Sequence, residues 1–141
     1  MVFTHKKTTR FLALIMMIMF CASIITPIAS ARASNYINNF GTNLSAGSNG
    51  NVTVSFNIMG TGTMTDIGST RIEIRENNTL VATYLHTTTS GMMGSNKVFH
   101  SGTVTYKGVA GRTYRATVTF RAANSNGSDS RTLQSNSVVA R

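Results

Sequence analysis

The chain has 141 residues, of which 13 are lysine or arginine and four are acidic, so its formal net charge at pH 7 is +9. A single cysteine excludes a disulfide-stabilised scaffold and a metal site built from several thiolates. Four acidic residues also leave few candidates for a paired catalytic acid and base.

The first 31 residues have the layout of a secretory signal peptide. A short basic segment, MVFTHKKTTR, precedes an unbroken apolar run that ends at Pro27 and small residues. Ala29-Ser30-Ala31 has small residues at the positions that a signal peptidase reads, and cleavage two residues later is a second candidate. We therefore predict a signal peptide over residues 1–31, a domain over residues 32–141, and secretion to the extracellular space.

Two other fates of the apolar run stay open. A run of about 18 apolar residues can just span a bilayer, so an uncleaved anchor is one alternative. A lipoprotein is the other, because Cys21 lies within the run, although Phe20 stands where lipid attachment needs a small residue. Pro27 and the small residues after it favour cleavage.

Cleavage would remove the cysteine and leave ten basic residues against four acidic ones, a net charge of +6. An exported cation attracts anionic cell-wall polymers, phospholipid surfaces, polysaccharides and extracellular DNA, and its charge does not favour nucleic acid specifically. Solubility alone is the competing explanation of the charge.

After residue 33 the apolar residues follow the two-residue period of half-buried strands, and no stretch has a helical period. In chain order, strands are expected near YINNFGTNL and in NVTVSFNIM, TRIEIRE, TLVATYLH, KVFHSGTVTY, TYRATVTFRA and TLQSNSVVA. The turn candidates between them are Asn49-Gly50, Asn77-Asn78 and Asn126-Gly127, whose residues tolerate positive φ. About seven strands separated by such turns predict an all-β fold, an antiparallel sandwich.

The strand patterns also predict which side chains fill the core. Ten residues of three predicted strands are expected to point inward: Val52, Val54, Phe56, Ile58, Ile72, Ile74, Tyr114, Ala116, Val118 and Phe120.

The stretch Gly111-Arg112-Thr113-Tyr114 begins the clearest strand, and RAANSNGSDS then leads into the last one. This part of the chain, about residues 109–139, resembles the tyrosine corner and final hairpin of fibronectin type III and immunoglobulin-like domains. The resemblance implies that the Tyr114 hydroxyl bonds the backbone just upstream. The chain departs from the pattern because it has no tryptophan and no cysteine pair.

Four further stretches, GTGTM, IGSTRIEI, GMMG and NSNGSDSRT, extend the likeness to the whole processed chain. It resembles a family of small exported proteins from clostridium-like Gram-positive bacteria, for which no activity is established. The resemblance implies export and a compact domain.

In the topology of fibronectin type III and immunoglobulin-like domains, TRIEIRE and TYRATVTFRA would be neighbouring strands of one sheet. Their outward sides would share a face that carries Arg71, Arg75, Arg115 and Arg121. Glu73 would be the only acid on it. Guanidinium groups bind phosphates and carboxylates at two points, so this face predicts docking on an anionic cell-wall polymer or another polyanion. The same residues are also typical of a solvated sheet face, and that alternative stays open.

The segment HTTTSGMMGSNKVFH brings together His86, Met92, Met93 and His100. Two histidines and two thioethers suit copper(I), but no spacing fixes four ligands in one place, so we predict no metal and no other cofactor. We expect instead that Met92 and Met93 form an adaptable apolar loop tip that contacts a partner.

Catalytic residues are not predicted. Asp66, a histidine and a serine could be written as a triad, but no nucleophile elbow is present. The sequence therefore predicts a secreted, non-enzymatic binding module that docks through its arginine face. A diffusible cationic antimicrobial or toxin-like effector and a structural protein that self-assembles at a sheet edge are the alternatives. The oligomeric state is not predicted.

Overall fold

Eight β-strands make up most of the part of the chain that the computed structural model describes, residues 34–141. They are β1 (Ile37–Ala46), β2 (Asn51–Met64), β3 (Asp66–Glu76), β4 (Thr79–Leu85), β5 (Met93–Gly94), β6 (Lys97–Lys107), β7 (Thr113–Asn124) and β8 (Gly127–Val139). These residues contain one 3-10 turn and no α-helix, which confirms the predicted all-β class. The expected signal peptide at residues 1–31 lies outside the described residues.

The strands form two antiparallel sheets. The smaller sheet has three strands in the order β1-β2-β6. The larger sheet has five, in the order β4-β3-β7-β8, with the short strand β5 also paired to β3. Side chains of both sheets belong to one buried cluster, so the two layers form a sandwich.

The core between the sheets contains all ten side chains that the two-residue period places inside. Each of them is at most 2 % exposed. The ring of Phe120, on β7, lies 5.3 Å from that of Phe40 and 6.4 Å from that of Phe56, between ring centroids. Because Phe40 and Phe56 belong to the smaller sheet, these three rings join the layers. Complete burial of such a side chain stabilises a fold by about 1.5–3 kcal/mol.

Asparagines form two of the predicted turns. Asn49 has a φ of 57° before Gly50, and Asn77 and Asn78 have φ values of 45° and 74° in the hairpin between β3 and β4. The third predicted turn also forms, between Asn124 and Gly127, but there only the glycine has a positive φ, of 150°.

A bulge in β8 closes one side of the sandwich. The register between β7 and β8 shifts opposite Ala116, whose N–H donates to Ser135 Oγ at 2.9 Å instead of to a strand carbonyl. The next residue, Asn136, bonds both backbone groups of Leu44 on β1 at 2.9 Å. The Asn136 amide therefore links the edge of one sheet to the other.

The buried tyrosine at the start of β7 fixes the segment that enters this strand. The Tyr114 hydroxyl accepts from the backbone N–H of Val109 at 2.9 Å and donates to Glu76 Oε2 at 2.8 Å. Burial, the largest influence, raises the pKa of Tyr114, and Glu76 raises it further. The hydroxyl thus keeps its proton and joins β7, the end of β3 and the preceding loop.

Candidate functional site

The pairing of β3 with β7 brings four arginines to one surface. Arg75 lies directly opposite Arg115, Arg71 lies opposite Thr119, and Arg121 lies opposite Gly68. Their neighbours along the strands, Ile72, Ile74, Ala116 and Phe120, are buried, so the arginines point away from the core. We call this surface the basic face and define it by Arg71, Arg75, Arg115 and Arg121.

The basic face is long and narrow. Arg115 and Arg121 are six residues apart on one strand, a separation of about 20 Å, whereas adjacent strands are only about 4.8 Å apart. Such a strip fits an extended polymer better than a compact ligand.

Glu73 occupies the centre of the strip and holds two of the arginines. Its carboxylate oxygens lie 2.6 Å from a guanidinium nitrogen of Arg71 and 3.4 Å from one of Arg75. The two arginine side chains are 49 % and 41 % exposed, so water screens both pairs. Pairs of this kind contribute about 1 kcal/mol or less, and an incoming anion can compete for them.

Arg75 and Arg115 lie side by side at the hairpin end of the strip. Arg115 donates to Ser137 Oγ at 2.9 Å and to Gln134 Oε1 at 3.4 Å, and Arg75 donates to the carbonyl of Asn78 at 3.1 Å. Both arginines line a depression of about 80 Å³, and no acidic residue of the described chain lines it. Like charges directly across a ladder repel, so an anion here would relieve an existing cost.

The far end of the strip has an acid that the sequence analysis did not place there. Asp66 lines a second depression together with Arg121, so the expectation that Glu73 is the only acid of this surface is wrong. With four arginines and two acids, the basic face and its border have a net charge of +2.

The two methionines do not form a loop tip. Met92 is only 1 % exposed, and its carbonyl accepts from the N–H of Ser69 at 2.8 Å. Its side chain belongs to the core, so the expected contact between Met92 and a partner is wrong. Met93 follows in β5 and stays half-buried at the surface.

The histidines of the same segment have different surroundings. His86 lies beside Met93 in the second depression. A ring nitrogen of His100 instead lies 2.9 Å from the carbonyl oxygen of Gly91, and its ring packs 6.1 Å from that of Phe56. Among residues 34–141 there is no group of three or more histidine, cysteine or acidic side chains that could hold a metal ion.

Asp66 and His86 share the second depression with Thr70, and no serine of the described chain lines it. The Thr70 hydroxyl donates to the carbonyl of Thr119 at 3.3 Å rather than to the histidine. No hydrogen bond links the three side chains within the described part, so they are not arranged as nucleophile, base and orienting acid.

The second depression depends on features that the strand patterns missed. Thr70 is an extra residue in β3 at a register shift between Ser69 and Arg71, and β5 is only two residues long. The sequence does contain one signal of these features, Gly68 inside a strand pattern. A glycine at such a position indicates a bulge or a close backbone approach. Gly68 has φ 155°, and a Cβ on it would lie 2.8 Å from the Cα of Met93.

Over residues 34–141, no helix has the length and apolar character needed to cross a membrane. Comparison of the chain with models of protein families, with curated proteins and with solved structures gives no significant match.

Proposed function

We propose that the processed chain is a secreted, non-enzymatic binding domain that docks on an anionic cell-wall polymer or another extracellular polyanion through the basic face. The observation that carries this proposal is the adjacent pair Arg75 and Arg115, which line one depression without an acid. The leader-like first 31 residues and the likeness to small exported proteins support secretion.

The finer fold assignment, a fibronectin type III-like sandwich, belongs to the same proposal. In immunoglobulin constant domains the fourth strand joins the sheet of the first, second and fifth strands. Here β4 pairs with β3 instead, which favours the fibronectin type III arrangement. The hydrogen bond between Val109 and the Tyr114 hydroxyl supports it, because a tyrosine corner makes this bond.

Docking would work by charge pairing along the strip. Phosphate or carboxylate groups of a polymer would accept from the guanidiniums, with Arg75 and Arg115 as the first contact. Each guanidinium offers several N–H donors in a fixed plane, so the arginines can bind two oxygens of one anionic group.

The test is a double substitution, Arg75→Gln with Arg115→Gln. Pull-down on purified Gram-positive cell walls at low salt should give an affinity lower by about an order of magnitude, because two charge-assisted contacts are lost. The matched control is Lys97→Gln with Lys107→Gln, which removes the same charge from β6 in the other sheet. Equal losses in the two variants, or no loss in the first, would contradict docking through this face.

The same preparations test the diffusible effector. A cationic effector shares the charge but acts on membranes, so it would inhibit growth or release dye from anionic vesicles. Wall binding without dye release supports the docking domain, and dye release without wall binding overturns it.

The open sheet edges favour self-assembly as a second candidate function. β4 ends one side of the larger sheet, has no charged residue, and exposes Leu80 and Leu85 at 44 % and 42 %. β6 ends the smaller sheet, but two copies paired antiparallel about Gly102 would bring Lys97 opposite Lys107. Lysines at such positions discourage pairing, so β4 is the favoured edge of these two.

Sedimentation velocity tests this candidate. Self-assembly through β4 predicts association that rises with protein concentration and is suppressed by Leu80→Lys. The control is Val139→Lys, at an exposed site on β8 at the opposite edge of the same sheet. A single species at every concentration, or association that Leu80→Lys leaves intact, would count against it.

A further inference from the structure

The second depression, beside the basic face, lies where the outer edge of β3 is uncovered. β4 covers β3 from Arg71 onward, and β5 covers it at Ile67 and Gly68. Thr70 lies in the gap between them, and its carbonyl accepts from the N–H of His86 at 3.2 Å. The depression has a volume of about 390 Å³, within the range of small-molecule sites. Its described lining consists of Asp66, Thr70, His86, Met93 and Arg121.

Two opposite charges face this space without neutralising each other. Asp66 pairs with Ala123 in the ladder, and Arg121 is two residues before Ala123, so the two side chains are diagonal neighbours. Diagonal neighbours are about 7–8 Å apart, within reach of an arginine. Nevertheless, neither side chain forms an ion pair or hydrogen bond with any residue from 34 to 141.

The charges of Asp66 and Arg121, unpaired within residues 34–141, indicate which class of ligand the depression can bind. A purely anionic group would be attracted by Arg121 but repelled by Asp66. A purely cationic group would be attracted by Asp66 but repelled by Arg121. A compact group with both charges gains from both residues, and Met93 offers an apolar contact to the methylenes that join them. The His86 ring, which has no hydrogen bond within the described part of the chain, adds a polar group to the lining.

We propose that the depression lined by Asp66 and Arg121 binds a compact zwitterionic group, an ammonium a few bonds from a phosphate, as in an aminoalkyl phosphate. Arg121 binds the phosphate and Asp66 binds the ammonium. The site shares Arg121 with the basic face, but it does not require that polymers dock at Arg75 and Arg115. A wall polymer with both charges could occupy both sites.

The experiment follows amide shifts in nitrogen-15 NMR spectra during titration with O-phosphoethanolamine, inorganic phosphate or ethylammonium. O-phosphoethanolamine should give saturating shifts around Thr70, His86 and Arg121, with a dissociation constant about fivefold to tenfold lower than either half-ligand. Shifts that do not saturate, or equal binding of O-phosphoethanolamine and inorganic phosphate, would overturn the proposal.

Two substitutions test the roles of the two charged residues one at a time. Asp66→Asn should abolish the preference for O-phosphoethanolamine over inorganic phosphate, because it removes the partner of the ammonium. Arg121→Gln should abolish binding of both. The spectra of both variants also show whether the domain is still folded. A preference that survives Asp66→Asn would contradict the assigned role of that carboxylate.

A third variant separates this inference from the proposed function. Arg75→Gln with Arg115→Gln should weaken wall binding and leave the affinity for O-phosphoethanolamine unchanged. Unchanged wall binding in this variant would contradict polymer docking, whereas loss of its preference for O-phosphoethanolamine over inorganic phosphate would contradict this site. Co-sedimentation with phosphatidylethanolamine vesicles would identify the source of the group as lipid. Saturable soluble binding without co-sedimentation would support a soluble or polymer-borne group.

Discussion

Asp129 ties the start of the described chain to β8. Its Oδ2 accepts from Ser34 Oγ at 2.6 Å and from the N–H groups of Asn35 and Tyr36 at 2.7 and 3.1 Å. These bonds, the one from Ser34 above all, lower the pKa of Asp129. A lowered folded-state pKa adds stability above the ordinary aspartate value of about 3.9, and this stability is lost as pH falls through the folded-state pKa.

We therefore predict that Asp129→Asn lowers the melting temperature at neutral pH. Its deficit relative to the native protein should shrink as the pH is lowered below about 4, because protonation removes the native carboxylate as well. Thermal melts between neutral and acidic pH measure the difference. A deficit that is constant over this range would show that the charge of Asp129 is not what matters.

Tyr114→Phe tests the hydroxyl that joins β7, β3 and the preceding loop. The substitution leaves the N–H of Val109 and the carboxylate of Glu76 without this partner, so we expect a loss of about 1 kcal/mol in the free energy of unfolding. Tyr84→Phe is the control, because its hydroxyl makes one exposed bond of 3.3 Å to Thr105. Urea unfolding should show the larger loss for Tyr114→Phe, and equal losses would contradict the role given to this residue.

For the long strands, the local alternation of apolar and polar residues was sufficient to predict their positions. Residues such as Val54 and Val118 alternate with polar residues, and this alternation predicted both the strands and their buried sides. β5 was missed because two residues have no period. The bulge at Thr70 was missed because it arises from pairing with β7 and with the segment around Met92, which are distant in sequence.

Gly68→Ala should displace β5 from β3, because the new Cβ would collide with the backbone at Met92 and Met93. We expect faster amide hydrogen exchange at Ser69, whose N–H donates to the carbonyl of Met92. Gly62→Ala is the matched control, since a Cβ there has no atom of another residue within 4 Å, its chain neighbours aside. Unchanged exchange at Ser69 in Gly68→Ala would contradict the close approach of these strands.

Across the domain formed by residues 34–141, the two outer surfaces differ in chemistry. The larger sheet carries the basic face, whereas the outward residues along the middle of the smaller sheet are uncharged, as Thr53, Ser55 and Asn57 on β2 illustrate. The composition showed the excess of positive charge, and the strand patterns predicted that the arginines of the basic face point outward. The position of Asp66 beside Arg121 could not be predicted, because it depends on the register between β3 and β7.

The contrast between the two surfaces gives the most direct test of polymer docking. Nitrogen-15 NMR titration with purified soluble teichoic acid at low salt should shift amides of β3 and β7 around Arg75 and Arg115. These shifts should disappear at about 1 M salt, where charges are screened within about 3 Å. Amides in the middle of β2 should stay unchanged throughout. Shifts centred on β2, or shifts that persist at high salt, would contradict docking through the basic face.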